Sequence, residues 1–365
     1  MRPAKLLFWA SSALIVHTHV GYPALLWLLA RARGTKEAPM AAGAEADVSV
    51  VVAAYDEEDV IARKVQNVLA LDYPPDRLEL IVASDGSTDA TVERARAAGA
   101  DRVLDLPRGG KVRAQDQAVA RARGEIVVFS DANAQLATDA VRRLVERFAA
   151  DSRLGYVCGQ VRFSTEDGDN REGVYWRYEM AVRELESRVG DVTAGNGALY
   201  ATRRDSYVVV DPRMGHDLSF PFNMVKRGWR AKYEPRASAT EKTTPTNEAE
   251  FGRKRRMMSH TWPILLRGGI LDPRGYSPLY AFQVFSHRLL RYVTPFLHAA
   301  AFAASVRLRY RAALAAQLAF FGAAAIGRPR LARYYVLVTA SPAFGLFDYL
   351  RSGTPAGWEK AEGTR

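Results

Sequence analysis

Apolar positions along the middle of the chain follow two alternating patterns. Short unbroken runs at 48–54, 80–83 and 126–129 read as strands buried on both faces, since they leave no alternate position for water. Between them, spacings of three and four put apolar residues on one side of helices at 60–71, 89–98 and 111–121, the second capped by Thr88 or Asp89. Residues 103–106 add a strand, 140–149 a helix, 156–163 another strand and 218–226 a helical segment. Strand and helix in alternation over 46–250 predict an α/β domain with a mostly parallel sheet and crossover helices. There is no internal repeat.

The two ends follow another pattern. Residues 6–30 are apolar over a length that crosses a bilayer core, and Arg31, Arg33 and Lys36 follow at once. That predicts a retained N-terminal anchor at 1–35, in place of a cleaved signal peptide, with the next domain on the cytoplasmic side. Arg2 and Lys5 pull the other way. Three more apolar stretches, at 289–306, 312–326 and 334–350, are separated by basic segments at 307–311 and 328–333. They predict two or three C-terminal spans within 286–352, preceded by an amphipathic interfacial segment at 251–285 and followed by a tail at 353–365. With both connecting segments basic, charge does not orient these spans.

Composition narrows the partners. Among 365 residues, 51 Lys and Arg stand against 40 Asp and Glu, a net charge of +11. The pI near 9.7 suits an anionic partner such as a nucleotide or an acidic membrane face. The basic residues gather beside the apolar spans, not along an aromatic-bearing sheet face, so nucleic acid is not an expected partner. One cysteine, Cys158, excludes an internal disulfide and a cysteine metal cluster. Neither a Gly-x-Gly-x-x-Gly turn nor a Gly-x-x-x-x-Gly-Lys-Ser/Thr loop occurs, so phosphates must be held in another way.

Chemistry gathers where the strands end. The run 48–54 gives way to Tyr55, Asp56, Glu57 and Glu58, the run 80–83 to Ser84, Asp85, Gly86, Ser87, Thr88 and Asp89, and the run 126–129 to Ser130, Asp131, Ala132 and Asn133. Open α/β sheets bind ligands at these carboxyl ends. Asp131 and Asn133, two apart, face the same way if the backbone stays extended, and they offer hard oxygen ligands to Mg²⁺ or Mn²⁺ on a diphosphate. Gly195, Asn196 and Gly197 permit close backbone approach to a ligand or form a plain turn. Val174, Tyr175, Trp176, Tyr178, Glu179, Arg183 and Glu186 have helical period; their aromatic rings face either a sugar or the core.

Taken in order, these tips, with Gly109, Gly110 and Lys111, with 195–200, with His216 and Asp217, and with the basic run 253–256, resemble the motifs of family 2 glycosyltransferases of the GT-A fold. The resemblance covers about 46–265, and the flanking spans resemble those of membrane-bound polysaccharide synthases. It implies that Ala54, Tyr55 and Glu57 lie near the donor's base and ribose, that Asp85 hydrogen bonds the base or sugar, and that Lys111 approaches the diphosphate. Asp131 and Asn133 take the family's Asp-x-Asp positions and would hold Mg²⁺ or Mn²⁺. Arg253 and Arg256 fall at the first and fourth positions of the Gln-x-x-Arg-Trp segment, with Met257 in place of Trp. Gly195, Asn196, Gly197 and His216 would be on the acceptor side, and Asp217 would be the general base, although it could instead cap the helical segment 218–226. Asp56 stands for the usual Asn, Ser84 for the first Asp of a pair, Asp116 for an Asn, and His216 for an acidic residue.

The implied activity is inverting transfer of a sugar from a nucleotide sugar to a hydroxyl of a polysaccharide or lipid-linked glycan, at the cytoplasmic face of the inner (plasma) membrane, with synthase or export proteins as possible partners. Two alternatives stay open. The acceptor could be a polyprenyl phosphate, clamped by 253–256, or the chain could be a silent nucleotide-binding subunit of a synthase.

Overall fold

A computed structural model describes residues 3–34, 41–164, 171–242 and 247–357. The chain forms two compact units: a helical one, Met1–Gly34 with Pro245–Asp272 and Ser277–Thr354, and an α/β one, Thr35–Thr244 with Pro273–Tyr276 and Pro355–Arg365.

In chain order, α1 (Pro3–Val16) and α2 (Tyr22–Arg33) open the helical unit, joined through a π-helical turn at His17–Gly21. The α/β unit then runs β1 (Val48–Ala54), α3 (Glu58–Leu69), β2 (Leu78–Asp85), α4 (Thr91–Ala97), β3 (Arg102–Leu106) and α5 (Lys111–Val119). It continues with β4 (Ile126–Asp131), β5 (Gln135–Leu136), α6 (Ala140–Ala150), β6 (Leu154–Ser164), α7 (Arg171–Val189), β7 (Tyr200–Arg203), α8 (His216–Lys226) and β8 (Arg230–Lys242). The helical unit resumes with α9 (Asn247–Leu266), α10 (Pro278–Gln283), α11 (Leu290–Leu308), α12 (Arg311–Ile326) and α13 (Arg330–Ser352).

The strands form one sheet in the order β3-β2-β1-β4-β7-β6-β8-β5. From β3 to β4 every pairing is parallel, whereas β7 runs antiparallel to both of its neighbours. β6 and β8 are parallel again, and the short β5 closes the edge antiparallel to β8. Period two divides the central strands between two cores. Val50, Val52, Val82 and Val128 enter one core with Val60, Ile61, Val65 and Val68 of α3 and with Leu144 and Phe148 of α6. Val51, Ile81, Val127 and Phe129 enter the other, with Ala114 and Ala118 of α5 and Phe220 and Met224 of α8. Helices on both faces explain why these strands carry unbroken apolar runs, each fully buried Val being worth roughly 1.5–3 kcal/mol.

The elements read from the apolar pattern occur within a few residues of their expected limits, but β5, β7 and β8 were not among them. β8 carries Lys232, Glu234, Pro235 and Arg236 in its first half, so it lacks an apolar signature. Lys232 and Glu234 are nevertheless buried.

In the helical unit, Pro3–Arg33 and Pro278–Leu308 are each 31 residues, long and apolar enough to cross a membrane. The second includes the expected stretch 289–306 and is continuous through a π-helical turn at Val284–Leu289. The stretches 312–326 and 334–350 belong to α12 and α13, a pair bent by 100° that together would make a further span. α9 is tied to α13 by Arg255, which donates to both Asp348 oxygens at 2.5 and 2.6 Å, and by Trp262, whose Nε1 donates to the Pro342 carbonyl at 2.9 Å. Residues 358–365 of the expected tail lie outside the described residues.

Candidate active site at the tips of the central strands

The loops after β1 and β2 lock together. The Asp56 N–H donates to Ser87 Oγ at 3.0 Å, the Thr88 N–H to Asp56 Oδ1 at 2.8 Å, and the Glu57 N–H to Thr91 Oγ1 at 2.7 Å. Asp56 adopts a positive φ of 48°, which Asn and Asp tolerate better than most residues and which accounts for Asp standing where Asn is usual. Ala54 is buried in the core at the end of β1, and Glu57 is buried just before α3.

Asp85, at the end of β2, is encircled by protein donors. The N–H groups of Gly109 and Gly110 donate to Oδ1 at 2.7 and 2.9 Å, and Arg108 donates to Oδ2 at 2.6 Å. Gly110 meets this geometry with a φ of 96°, where a side chain is strained, and a Cβ there would come within 2.1 Å of the Ala356 carbonyl. The Arg108 guanidinium lies 3.3 Å from the centroid of the Tyr55 ring. Asp85 therefore organises the 108–110 loop, and Arg108, which the sequence motifs did not single out, links it to Tyr55.

β4 delivers Asp131, and the chain then turns, the Ala134 N–H donating to the Asp131 carbonyl at 3.2 Å. The extended backbone assumed from the Asp131/Asn133 spacing is therefore replaced by a turn, and period two does not govern where the two side chains point. Lys111, the first residue of α5, donates to Asp131 Oδ1. Burial works against the ammonium, but the Asp131 carboxylate holds its pKa above the ordinary value. Gly197 lies beside the pair: a Cβ there would sit 3.3 Å from Lys111 Nζ and 3.4 Å from Asp131 Oδ2. Beneath the turn is Lys64, fully buried on α3, with its pKa lowered by burial to about 7 against the opposing pull of Asp131 and Glu241.

These residues suit a hard divalent cation shared with a diphosphate. No group of three or more His, Cys, Asp or Glu able to cage a metal occurs among the described residues. What is present is one carboxylate, already paired with a cationic group, and one amide two residues on, which matches metals that take a few protein oxygens and complete their shell from phosphate and water.

Asp217 approaches the same place from α8. It lies in the first turn of the helix, whose N-cap is Gly215, two residues earlier, and its carboxylate accepts from the Leu218 N–H of that turn. Burial raises its carboxyl pKa, Lys111 and the Leu218 N–H pull it down, and the Asp131 charge raises it further. Its carbonyl accepts from the Gly195 N–H at 2.6 Å, while the Gly195 carbonyl accepts from Arg183 at 2.8 Å. Gly195 has no room for a side chain, because a Cβ would fall 1.8 Å from the Tyr156 hydroxyl oxygen. Asn196 holds the loop from inside, donating to the Gly159 carbonyl at 2.7 Å and accepting from the Leu199 N–H at 2.9 Å.

His216 has a different setting. It is 3% exposed, stacks on Phe220 at 3.9 Å and is met edge-on by Phe129, Tyr200 and Tyr207. Its Nδ1 is 2.8 Å from the Tyr200 hydroxyl. Burial, with the Lys111 charge, lowers its pKa to about 3, so it is a neutral core imidazole and not a group on an open acceptor face. Asp116 likewise serves packing, accepting from the Tyr207 hydroxyl at 2.7 Å.

In the aromatic helix, Trp176 donates to the Val161 carbonyl at 2.7 Å and meets Phe163 edge-on, which is core packing; the side chain of Val174 lies outside the described residues. Arg253 and Arg256 belong to the helical unit. There Glu250 accepts both Arg253 Nε at 2.8 Å and Nη2 at 3.0 Å, and the Arg256 carbonyl accepts from Ser259 Oγ at 2.8 Å.

Comparison with known proteins adds an independent finding. The family model described as glycosyl transferase family 2 matches residues 49–247. Poly-β-1,6-N-acetyl-D-glucosamine synthase of Staphylococcus aureus is 27% identical over 201 residues, covering 52% of this chain and 48% of the relative. β-Monoglucosyldiacylglycerol synthase of Synechocystis is 33% identical over 175 residues, 42% of this chain and 34% of the relative. The chain thus spans about half the length of the first relative and about a third of the second. Among solved structures, the mannosyltransferase PcManGT of Pyrobaculum calidifontis, in complex with GDP-Man and Mn²⁺, is similar at a TM-score of 0.74 and 25% identity, covering 95% of this chain and 99% of that one.

Proposed function

Because the chain belongs to glycosyl transferase family 2, we propose that it is a membrane-anchored, metal-dependent inverting glycosyltransferase that moves a sugar from a nucleotide diphosphate sugar to a hydroxyl of a glycan or lipid-linked acceptor on the cytoplasmic side. The observation that carries this reading is the meeting of Asp131, Lys111, Gly197 and Asp217 beyond the end of β4. Asp131 and Asn133 would hold Mg²⁺ or Mn²⁺, which when bound neutralises charge on the departing diphosphate. Lys111 adds a second positive charge on the same phosphates. Tyr55, with Arg108 stacked on it, borders the base and ribose, and Asp85 acts there by shaping the 108–110 loop.

Asp217 takes the proton. The acceptor oxygen bonds to the anomeric carbon on the face opposite the diphosphate, the bond from that carbon to the diphosphate oxygen breaks with its electron pair leaving on the diphosphate, and the acceptor proton passes to the Asp217 carboxylate. One base and one displacement invert the configuration. The membrane location is supported by the two helical stretches long and apolar enough to span, and the segments 1–35 and 286–352 are assigned to anchoring.

The test is a donor panel offered to the full chain in lipid, with nucleoside diphosphate release followed with and without Mn²⁺. Release from at least one nucleotide sugar, dependent on Mn²⁺ or Mg²⁺ and lost in Asp217→Asn, is expected; no release from any donor by folded, inserted protein overturns the reading. Lipid phosphate acceptors are included, since an ionised phosphate needs no base and would keep its rate in Asp217→Asn.

A further inference from the structure

Two polar residues interrupt the apolar face of α3, and both reach the segment that carries Asp131 and Asn133. Val60, Ile61, Val65 and Val68 of this helix are buried in the core, and Lys64, on the same face, has no exposed surface. Its ammonium donates to Ser130 Oγ at 2.7 Å and to the Ala134 carbonyl at 2.8 Å. Those two residues bracket the turn 131–133. Ser130 in turn donates to the Ala198 carbonyl at 2.8 Å, so the chain of bonds runs from α3 through the tip of β4 to the loop containing Gly197. One helical turn further on, Asn67 donates to the Leu136 carbonyl at 2.9 Å and accepts from the Leu136 N–H at 2.8 Å.

Burying an ammonium is costly before its partners are counted, and an apolar residue would fill this position in the core at no such cost. What the lysine adds is a fixed separation between Ser130 and Ala134, and hence a fixed turn between them. We infer that Lys64 is a positioning residue for the cation-holding turn: it sets the geometry of Asp131 and Asn133 from beneath without touching donor or acceptor. This rests on the reading of Asp131 and Asn133 as the metal seat. Partners behind metal ligands act in this way by holding ligands in one orientation.

The experiment uses the full chain in lipid and measures Mn²⁺ affinity by the paramagnetic resonance of free Mn²⁺, with GDP and in parallel with UDP. Lys64→Met is expected to weaken Mn²⁺ binding by about 10- to 100-fold, the range for loss of a partner behind a metal ligand. Lys64→Arg, which keeps donors at the site, is expected to recover part of that loss. Should Lys64→Met fail to fold, Ser130→Ala decides, because it cuts the same chain of bonds with a smaller change in volume. Asp131→Ala separates the two claims. If Asp131→Ala abolishes binding while the folded Lys64→Met, or Ser130→Ala in its place, binds as the parent does, the positioning role is overturned and the metal seat stands. If Asp131→Ala also binds as the parent does, the metal seat itself is overturned, and the positioning role with it.

Discussion

Lys111 and Asp131 form an ion pair at the end of β4, so the carboxylate proposed to hold a divalent cation already carries an ammonium. The pair is partly exposed and is worth little as a source of stability. Its significance is competitive, because cation and ammonium favour the same oxygens. Replacing Lys111 by Met should tighten binding of Mn²⁺ alone, by about two- to fivefold if the pair is worth up to about 1 kcal/mol. The same change should weaken nucleoside diphosphate binding. Titrating each ligand separately checks both; weaker Mn²⁺ binding in the variant would show that Lys111 does not compete.

Asp217 sets the expected pH dependence. As a base it works only when ionised, and burial raises its carboxyl pKa above the ordinary range. The rate at saturating donor should therefore fall as pH drops through that raised value. Lys111 holds the value down, so Lys111→Met should move the acid limb to higher pH. Asp217→Asn should cost about 10²- to 10⁴-fold in kcat, the usual contribution of a general base, with Mn²⁺ and nucleotide binding kept. A pH–rate profile of the three proteins tests these statements together.

His216 makes a prediction about stability. Its folded pKa is about 3, below the ordinary 6.5, so between those values the unfolded chain binds more protons than the folded one. The stability due to the neutral imidazole is fully present above about pH 6.5 and is lost as pH falls toward 3. Thermal unfolding from pH 7 to pH 4 should show a shallower acid decline in His216→Leu than in the parent. Parallel declines would mean that the ring is not held neutral.

Asn133 supplies an amide oxygen where a carboxylate would carry a full charge. Asn133→Asp should tighten Mn²⁺ severalfold, because affinity of such sites follows ligand charge. Mn²⁺ titration in the presence of nucleoside diphosphate measures this, and an unchanged affinity would remove Asn133 from the cation's shell. Chelation of the metal should stop donor turnover in both proteins.

How much of this could be read beforehand depended on what each residue's signal was made of. β1, β2 and β4 were legible because burial on both faces forces unbroken apolar runs, and their polar tips stood out against them. β8 was not, because its first half carries the buried polar residues Lys232 and Glu234, whose partners leave no periodic trace; Lys232 donates to the carbonyls of Ser187 and Gly190, and Glu234 accepts at 2.7 Å from Arg236, two residues along the same strand. The spacing of Asp131 and Asn133 was visible, but the turn between them depends on Lys64, remote in sequence. Lys64 had a signal of its own, a lysine in register with Val60 and Val68 on an apolar stripe, of the kind usually read as a side chain reaching out to water. The cage around His216 brings Phe129 from β4 and Tyr200 from β7 onto a ring already stacked on Phe220, one turn along α8, and only that last contact is local in sequence.

The reversal of strand direction between β4 and β7 has a consequence for how such a chain can diversify. Residues 48–136 supply the parallel strands β1 to β4, the proposed donor groups and the short edge strand β5, while 154–242 supply β6, β7, β8 and Asp217. Each of these two stretches is continuous in the gene. A recombination that exchanged the second stretch would bring in a new acceptor specificity while leaving nucleotide handling in place, provided that the incoming stretch presented a carbonyl where Ala198 now accepts from Ser130.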